Sequence, residues 1–296
     1  MKKFAVLFSA LFALSSCEKN IDLDLEAADP KIVVEGYVED GFTPYVILSR
    51  SESYFDPIGQ STINNLPLKG ARVLISNGVD TIQLTEIDTT VNGVSVGGFY
   101  IALDSITLLP SMLGVPGTTY HLYVQAPNGE VVTSTAYLAP TVPLDSTWFK
   151  VQENKDSLGF VWARLSDPDS LGNYYRWFAK RLGEDDFYIP PFGSSFEDKF
   201  INGQSFDFAY NRGSIQNSEA EEDLNEEAGF YKKGDTIVVK FCTIDQGTYQ
   251  FWRDAENQLG SSGSPFAVPS NIKSNIVGGR GLFATYTASY DTVIAQ

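Results

Sequence analysis

Apolar and polar residues alternate in short stretches through most of the chain, and a period of two marks a strand with one buried face. IVVEGYVEDG from Ile32 and PYVILSRS from Pro44 are the first two such stretches, parted by a turn at Asp40-Gly41. ARVLISNGVDTIQLTE holds two more, joined at Asn77-Gly78, a dipeptide that favours the tight turn of a hairpin. GGFYIAL follows, and TTYHLYVQAPNGEVVTSTAYL predicts a further hairpin turning at Asn128-Gly129. Strands at this spacing predict a β-sandwich, immunoglobulin-like or transthyretin-like, over residues 30–140.

The prolines of Ala139-Pro140-Thr141-Val142-Pro143 place a boundary there, because proline ends ladders and stiffens linkers. Beyond it, residues 141–296 predict a second β-rich domain. STWFKVQENKDSLGFVWARLSD reads as a hairpin, NYYRWFAKRL as a strand with aromatics on both faces, and GDTIVVKFCTI as another strand. Residues 183–230 form an irregular insertion with Pro190-Pro191 and two strand-like runs around Asn202-Gly203. One short helix is expected, about 248–260, where Phe251, Ala255 and Leu259 lie four apart on one face and Gly260 marks the stop.

The start of the chain obeys a different pattern. Lys2 and Lys3 precede an apolar run from Phe4 to Leu14, which is shorter than the about 20 residues that a bilayer-spanning helix needs. Basic flank, short apolar core and small residues describe a secretion signal over 1–16. Leu14-Ser15-Ser16-Cys17 resembles the bacterial lipobox, so Cys17 is expected to carry lipid and residues 17–29 to act as a tether. Glu18 in place of Asp favours the outer membrane over retention at the inner one; the leaflet is left open.

Composition narrows the function. The formal net charge is −16, and loss of Lys2 and Lys3 with the signal makes it more negative still. Such a balance argues against nucleic acid, whose binding needs neutralising Lys and Arg. With Cys17 lipidated, Cys242 has no partner for an internal disulfide. No cofactor is expected.

The candidate chemistry is sparse. His121, the single histidine, sits in the strand-like TYHLYV, and Cys242 follows Phe241 on a strand, where a thiol serves as a small core residue. Asp167, Asp169 and Asn173 in DPDSLGN are spaced to ligate calcium, although these residue types equally build a turn. NIVGGRG (275–281) lacks the rest of a phosphate-loop pattern. The acidic stretch 219–227 reads as a solvated segment that could also meet cations or a basic partner. Phe187, Tyr188, Phe192, Phe196 and Phe200 form either a recognition surface or core.

The phrases SDPDSLGNYYRW, DKFINGQSF, GDTIVVKFCTI with YQFWRDAENQ, and NIKSNIVGGRGLF occur in that order. With LSSCEKNIDLDL and KIVVEGYVEDG near the start, they resemble a family of Bacteroidota lipoproteins named domain of unknown function 4249, over nearly the whole mature chain. That resemblance implies a partnership with a TonB-dependent outer-membrane receptor, beside which members are often encoded. It offers no catalytic residues. The expected function is therefore a non-catalytic, lipid-anchored accessory or binding protein of the outer membrane, acting in nutrient uptake, with segment 183–230 as its contact surface. The alternatives are a carboxylate-based hydrolase acting on carbohydrate or peptide, and a structural envelope component.

Overall fold

The computed structural model describes residues 29–52, 59, 66–88, 90–91, 94–95, 97–213, 227–261 and 271–296. The signal, Cys17, nearly all of the tether and residues 219–226 of the acidic stretch lie outside the described residues.

The chain is mainly β. Alternation produces β1 (Ile32–Glu39) and β2 (Tyr45–Arg50), then β3 (Arg72–Ser76), β4 (Thr81–Gln83) and β5 (Thr85–Ile87). Two-residue β6 (Thr90–Val91) and β7 (Val94–Ser95) pair with each other, and β8 (Phe99–Ile101), β9 (Thr118–Gln125) and β10 (Val131–Leu138) follow. The second half holds β11 (Ser146–Val151), β12 (Leu158–Ser166), β13 (Tyr174–Arg181), β14 (Ser195–Glu197), β15 (Ser205–Tyr210), β16 (Tyr231–Lys232) and β17 (Thr236–Ile244). The helix α1 (Gln246–Ser261), β18 (Ile276–Val277) and the long β19 (Arg280–Ile294) complete it.

One eight-stranded sheet, ordered β14-β13-β17-β19-β1-β2-β8-β5, runs through the molecule. Its spine is β19, which pairs in parallel with β1 through its first half and antiparallel with β17 through its second. Two smaller sheets lie side by side against one face of this sheet. The five-stranded sheet β18-β10-β9-β3-β4 closes a first core containing Val34, Val46, Tyr120, Leu122 and Phe283. The sheet of β11, β12, β15 and β16 closes a second core around Trp177, Phe241 and Tyr175. The alternation explains both: each strand turns one row of side chains into these cores, and the other row to the opposite face. Gly36 is needed in the first core, since a Cβ there would stand 2.8 Å from the Phe283 ring.

Between the cores the face of the long sheet is polar. Thr243, Thr285 and Thr287 are buried there, and the crossing chain at 137–142 is tied to them. Thr285 Oγ1 donates to the Tyr137 carbonyl at 2.8 Å, and the Val142 amide donates to Thr243 Oγ1 at 2.9 Å. The prolines of 139–143 therefore cross a threonine seam between two hydrophobic cores. β19 contributes to both cores.

Helix α1 covers the opposite face. Its buried positions are Thr248 and Tyr249, with Trp252 and Glu256 turned to the sheet; Leu259, expected on the buried face, is exposed. Gly260 is the second-last residue of the helix as described, and the ring of Phe192 lies against it, 2.7 Å from where a Cβ would stand. Of the two strand-like runs around Asn202-Gly203, the second forms β15 and the first is corrected. Asp198–Phe200 is a 3-10 turn, and the flanking β14 and β15 pair with β13 and β12 in different sheets. The segment expected to be irregular thus supplies a strand to each of two sheets.

Candidate binding surfaces

The calcium candidates lie in the loop between β12 and β13. Asp167 is buried; its Oδ1 accepts the Tyr175 hydroxyl at 2.5 Å and its Oδ2 the Gly203 amide at 3.1 Å. Burial, and then this hydrogen bond, push the Tyr175 phenol far above its usual range. The Asn173 side-chain amide nitrogen donates to the Ser170 carbonyl at 2.5 Å. The residue that organises the loop is Asp198, distant in sequence, whose Oδ2 accepts the amides of Gly172 (2.8 Å) and Asn173 (2.9 Å). Asp169 is exposed. A cation held by Asp167 would have to displace the Tyr175 hydroxyl and the Gly203 amide. Among the described residues no group of three or more His, Cys, Asp or Glu is placed to hold a metal ion.

The five aromatics divide. Phe196 packs in the second core, 5.2 Å from the Tyr175 ring between centroids. Tyr188 is half-buried beside Tyr290, with the Lys180 ammonium 4.9 Å over its ring. Phe187, Phe192 and Phe200 remain exposed, the last at 83%. His121 stands on the open face of β9 with Nδ1 3.1 Å from Thr135 Oγ1. Cys242 is fully buried, and burial pushes its thiol up to about 12. Of the acidic stretch, Glu227 is described; it pairs with Lys232 at 2.6 Å.

A surface that sequence reasoning missed lies between β8 and β9. Residues 104–115 present Ile106, Leu108, Leu109, Leu113 and Val115 to solvent, Ile106 at 90% and Leu108 at 62% exposure. This loop is held firmly. Asp104 Oδ1 accepts the amides of Ile106 (3.0 Å) and Thr107 (2.8 Å) and the Thr107 hydroxyl (2.9 Å). The Asp104 carbonyl accepts the Leu108 amide, and the Asp104 amide donates to the Leu109 carbonyl, both at 2.9 Å. Leu108 sits in the left-handed region at φ 56°, a conformation that costs a branched side chain free energy and persists where the surroundings enforce it. Met112 anchors the loop in the first core, and Tyr120 Oη accepts the Val115 amide at 2.8 Å. Backbone bonds from Gly41 to Gly114 and from Gly114 to Phe42 add exposed Phe42 to the patch. The signal that could have found it is the run ITLLPSMLGVP: apolar, but broken by prolines where no strand can continue.

Beside this loop is a cavity of about 620 Å³ lined by Gln83, Glu86, Tyr100, Leu103, Asp104 and Ser111. It exists because β4 belongs to the five-stranded sheet and β5 to the eight-stranded one, so the chain switches sheets at buried Leu84 and leaves a corner open. Glu86 Oε2 accepts the Gly70 amide at 2.9 Å, and Tyr100 Oη donates to the Leu68 carbonyl at 2.9 Å. A larger cleft, about 860 Å³, lies at the junction of the cores and is lined by Tyr137, Pro140, Asn173, Tyr174 and Asp245.

The family model for "Domain of unknown function (DUF4249)" matches residues 18–291. The chain belongs to the DUF4249 family. No curated protein matches it in sequence. A solved structure, that of Salmonella alpha-2-macroglobulin reacted with methylamine, is similar at 10% identity and a TM-score of 0.24, covering 78% of this chain and 15% of that one. At that score the likeness carries no argument. Among the described residues of this DUF4249 protein, no helix is long and apolar enough to cross a membrane.

Proposed function

We propose that this DUF4249 protein is a non-catalytic binding protein, lipid-anchored at Cys17 to the outer membrane, that docks onto a TonB-dependent β-barrel receptor and assists nutrient uptake. The observation that carries this reading is the rigid apolar loop 104–115. Apolar side chains scattered singly on a surface need no explanation, but a contiguous patch marks a place of contact. Here Ile106, Leu108 and Leu109 are held outward by a capped turn with a left-handed leucine. A preorganised apolar loop loses little conformational entropy on docking. The exposed Phe187 and Phe192 offer a second contact on the segment 183–230.

The non-catalytic part is supported by the state of the reactive groups. The Cys242 thiol is buried and held protonated, and His121 pairs with a threonine on an open sheet face. The test is affinity purification in mild detergent from the envelope of the native host. Wild-type protein is expected to bring down a β-barrel receptor in near-equal amount. The triple variant Ile106→Asp, Leu108→Asp, Leu109→Asp is expected to lose it while keeping its melting temperature. Absence of a barrel with the wild type, or its unchanged recovery with the variant, overturns the proposal.

A further inference from the structure

We infer that the cleft at the junction of the two cores is a binding site for an uncharged oligosaccharide. It lies on different elements from the apolar loop 104–115 and stands independently of the receptor proposal.

The cleft follows from how the chain crosses between the two small sheets. Alternation along β10 turns Val132, Ala136 and Leu138 into the first core and leaves Thr135 and Tyr137 on the outer face. Register sets Tyr137 opposite Thr119 of β9, and Thr135 opposite His121. Past Leu138 the prolines carry the chain over the threonine seam. The turn between β12 and β13 and the start of α1 supply the facing wall, through Pro168, Ser170, Asn173 and Gln246. Asp198 fixes that turn by its bonds to the Gly172 and Asn173 amides. The volume, about 860 Å³, falls within the roughly 300–1,000 Å³ of small-molecule sites. A smaller hollow of about 300 Å³, lined by Ser76, His121 and Thr133, continues along the outer face, with Thr135 lining both.

The walls select the ligand class. Among the described residues, Asp245 is the one carboxyl on the cleft walls, and no lysine, arginine or histidine lines it. An anionic ligand would meet a carboxylate and no counter-charge. A cationic ligand would find that carboxylate engaged: Oδ1 accepts the Thr248 amide at 2.8 Å and Oδ2 the Tyr137 amide at 3.2 Å. An extended peptide adding to the edge of β10 needs open backbone groups. At Tyr137 both are taken, because Thr285 Oγ1 donates to its carbonyl at 2.8 Å. A wholly apolar ligand would strip water from Thr119, Ser170, Asn173 and Gln246 and return no hydrogen bonds. A sugar without charged groups meets every one of these conditions. Its hydroxyls donate and accept, which suits the hydroxyls of Thr119 and Ser170. Asn173 spends its side-chain nitrogen on the Ser170 carbonyl and leaves its side-chain oxygen as an acceptor. Tyr137, 44% exposed, and Pro140 supply apolar surface for the C–H face of a pyranose ring.

Detergent-solubilised full-length protein on an oligosaccharide array decides the matter. The array carries neutral oligomers of glucose, galactose, mannose and xylose beside uronic-acid, sulfated and amino-sugar oligomers and lysine-rich peptides. Binding to at least one neutral series is expected, and none to the charged oligomers or the peptides. Calorimetry with the neutral oligomer that gives the strongest signal then reads the variants. Tyr137→Ala leaves both backbone bonds of that residue in place and is expected to bind about fivefold more weakly, since it removes the stacking ring. Thr119→Val keeps the branched shape and is expected to lose about threefold, the loss of one hydrogen bond. Both should keep the wild-type melting temperature. The triple variant of the 104–115 loop is expected to bind as the wild type does, which separates this site from receptor docking. No binding to any neutral oligomer, equal or stronger binding to a charged oligomer or peptide, or undiminished binding by folded Tyr137→Ala and Thr119→Val would each overturn the inference. So would loss of binding in the loop variant alone.

Discussion

Asp104 governs the shape of the apolar loop through a single carboxylate oxygen. The Thr107 amide, then the Thr107 hydroxyl and the Ile106 amide, hold its carboxyl below its ordinary value of 3.8. A carboxyl with a depressed folded-state pKa stabilises the folded loop above the unfolded value, and that stabilisation disappears as the pH falls through the folded value. The amide resonances of Ile106 and Thr107 are therefore expected to titrate together with a midpoint below 3.8, and to stop titrating in Asp104→Ala. A midpoint at or above 3.8 would show that the cap does not hold the loop. Cys242 gives a second check at this scale. With its thiol pushed up to about 12 by burial, labelling by a thiol reagent at pH 8 should require urea, and its rate should follow global unfolding. Prompt labelling of the native protein would mean that β17 is more open than described. The sequence indicated the core role of Cys242. It gave no sign that Asp104 caps anything, since the capped amides belong to a run that reads only as apolar.

At the scale of elements, helix α1 is fixed by charge as much as by apolar contact. Arg176 is buried with its guanidinium 3.6 Å from the centre of the Trp252 ring, and Ser194 Oγ donates to Glu256 Oε1 at 2.6 Å. The Arg176–Glu256 distance is 3.8 Å, with side chains 3% and 14% exposed. Removing one partner leaves the other charge buried and unpaired, so Glu256→Ala should destabilise by about 3–5 kcal/mol in urea unfolding. A loss below 1 kcal/mol would mean that the helix is held by its aromatic residues alone. The other end of α1 predicts a sign. Asp245 caps the helix through the Thr248 amide at 2.8 Å and also accepts the Tyr137 amide at 3.2 Å, while burial raises its pKa. A raised carboxyl pKa gives stability that is complete below the unfolded value and lost as the pH rises through the folded one. Asp245→Asn removes the buried charge and keeps an oxygen for the Thr248 amide, but sets its NH2 group against the Tyr137 amide, so at pH 7 it should lose less stability than Asp245→Ala without exceeding the wild type. Asp245→Ala should lose about 1 kcal/mol at pH 7. Equal losses for both would exclude a burial cost at this position.

For the molecule as a whole, the shared strand sets the unit of folding. Ile276 and Phe283 belong to the first core although they lie near the chain's end, and Val293 of the same β19 belongs to the second. A fragment ending at residue 141 lacks β18 and β19, which leaves β1 with one neighbour and the first core without Phe283. Such a fragment is expected to lack sharp side-chain signals in near-ultraviolet circular dichroism, and a peptide of residues 271–296 added in trans should restore them. A fragment that folds alone would refute this coupling. The intact protein should unfold in one transition by fluorescence and circular dichroism.

Local pattern determined a good deal by itself. Alternation and turn dipeptides place β1 to β4, the hairpins at Asn77-Gly78 and Asn128-Gly129, the β11–β12 hairpin and the helix α1, because a strand's period and a tight turn's backbone demands act over a few residues. Only tertiary structure decided the rest. Pairing of β19 with β1 brings together residues about 250 positions apart, and nothing in either strand specifies its partner. The same holds for function. Whether Phe196 is core while Phe187 and Phe200 are exposed, whether the leucines at 108 and 109 face water, and whether Tyr137 and Asn173 line one cleft all depend on which surface another sheet happens to cover. A residue's chemistry is written in the chain, but its exposure is set by the packing of distant segments around it.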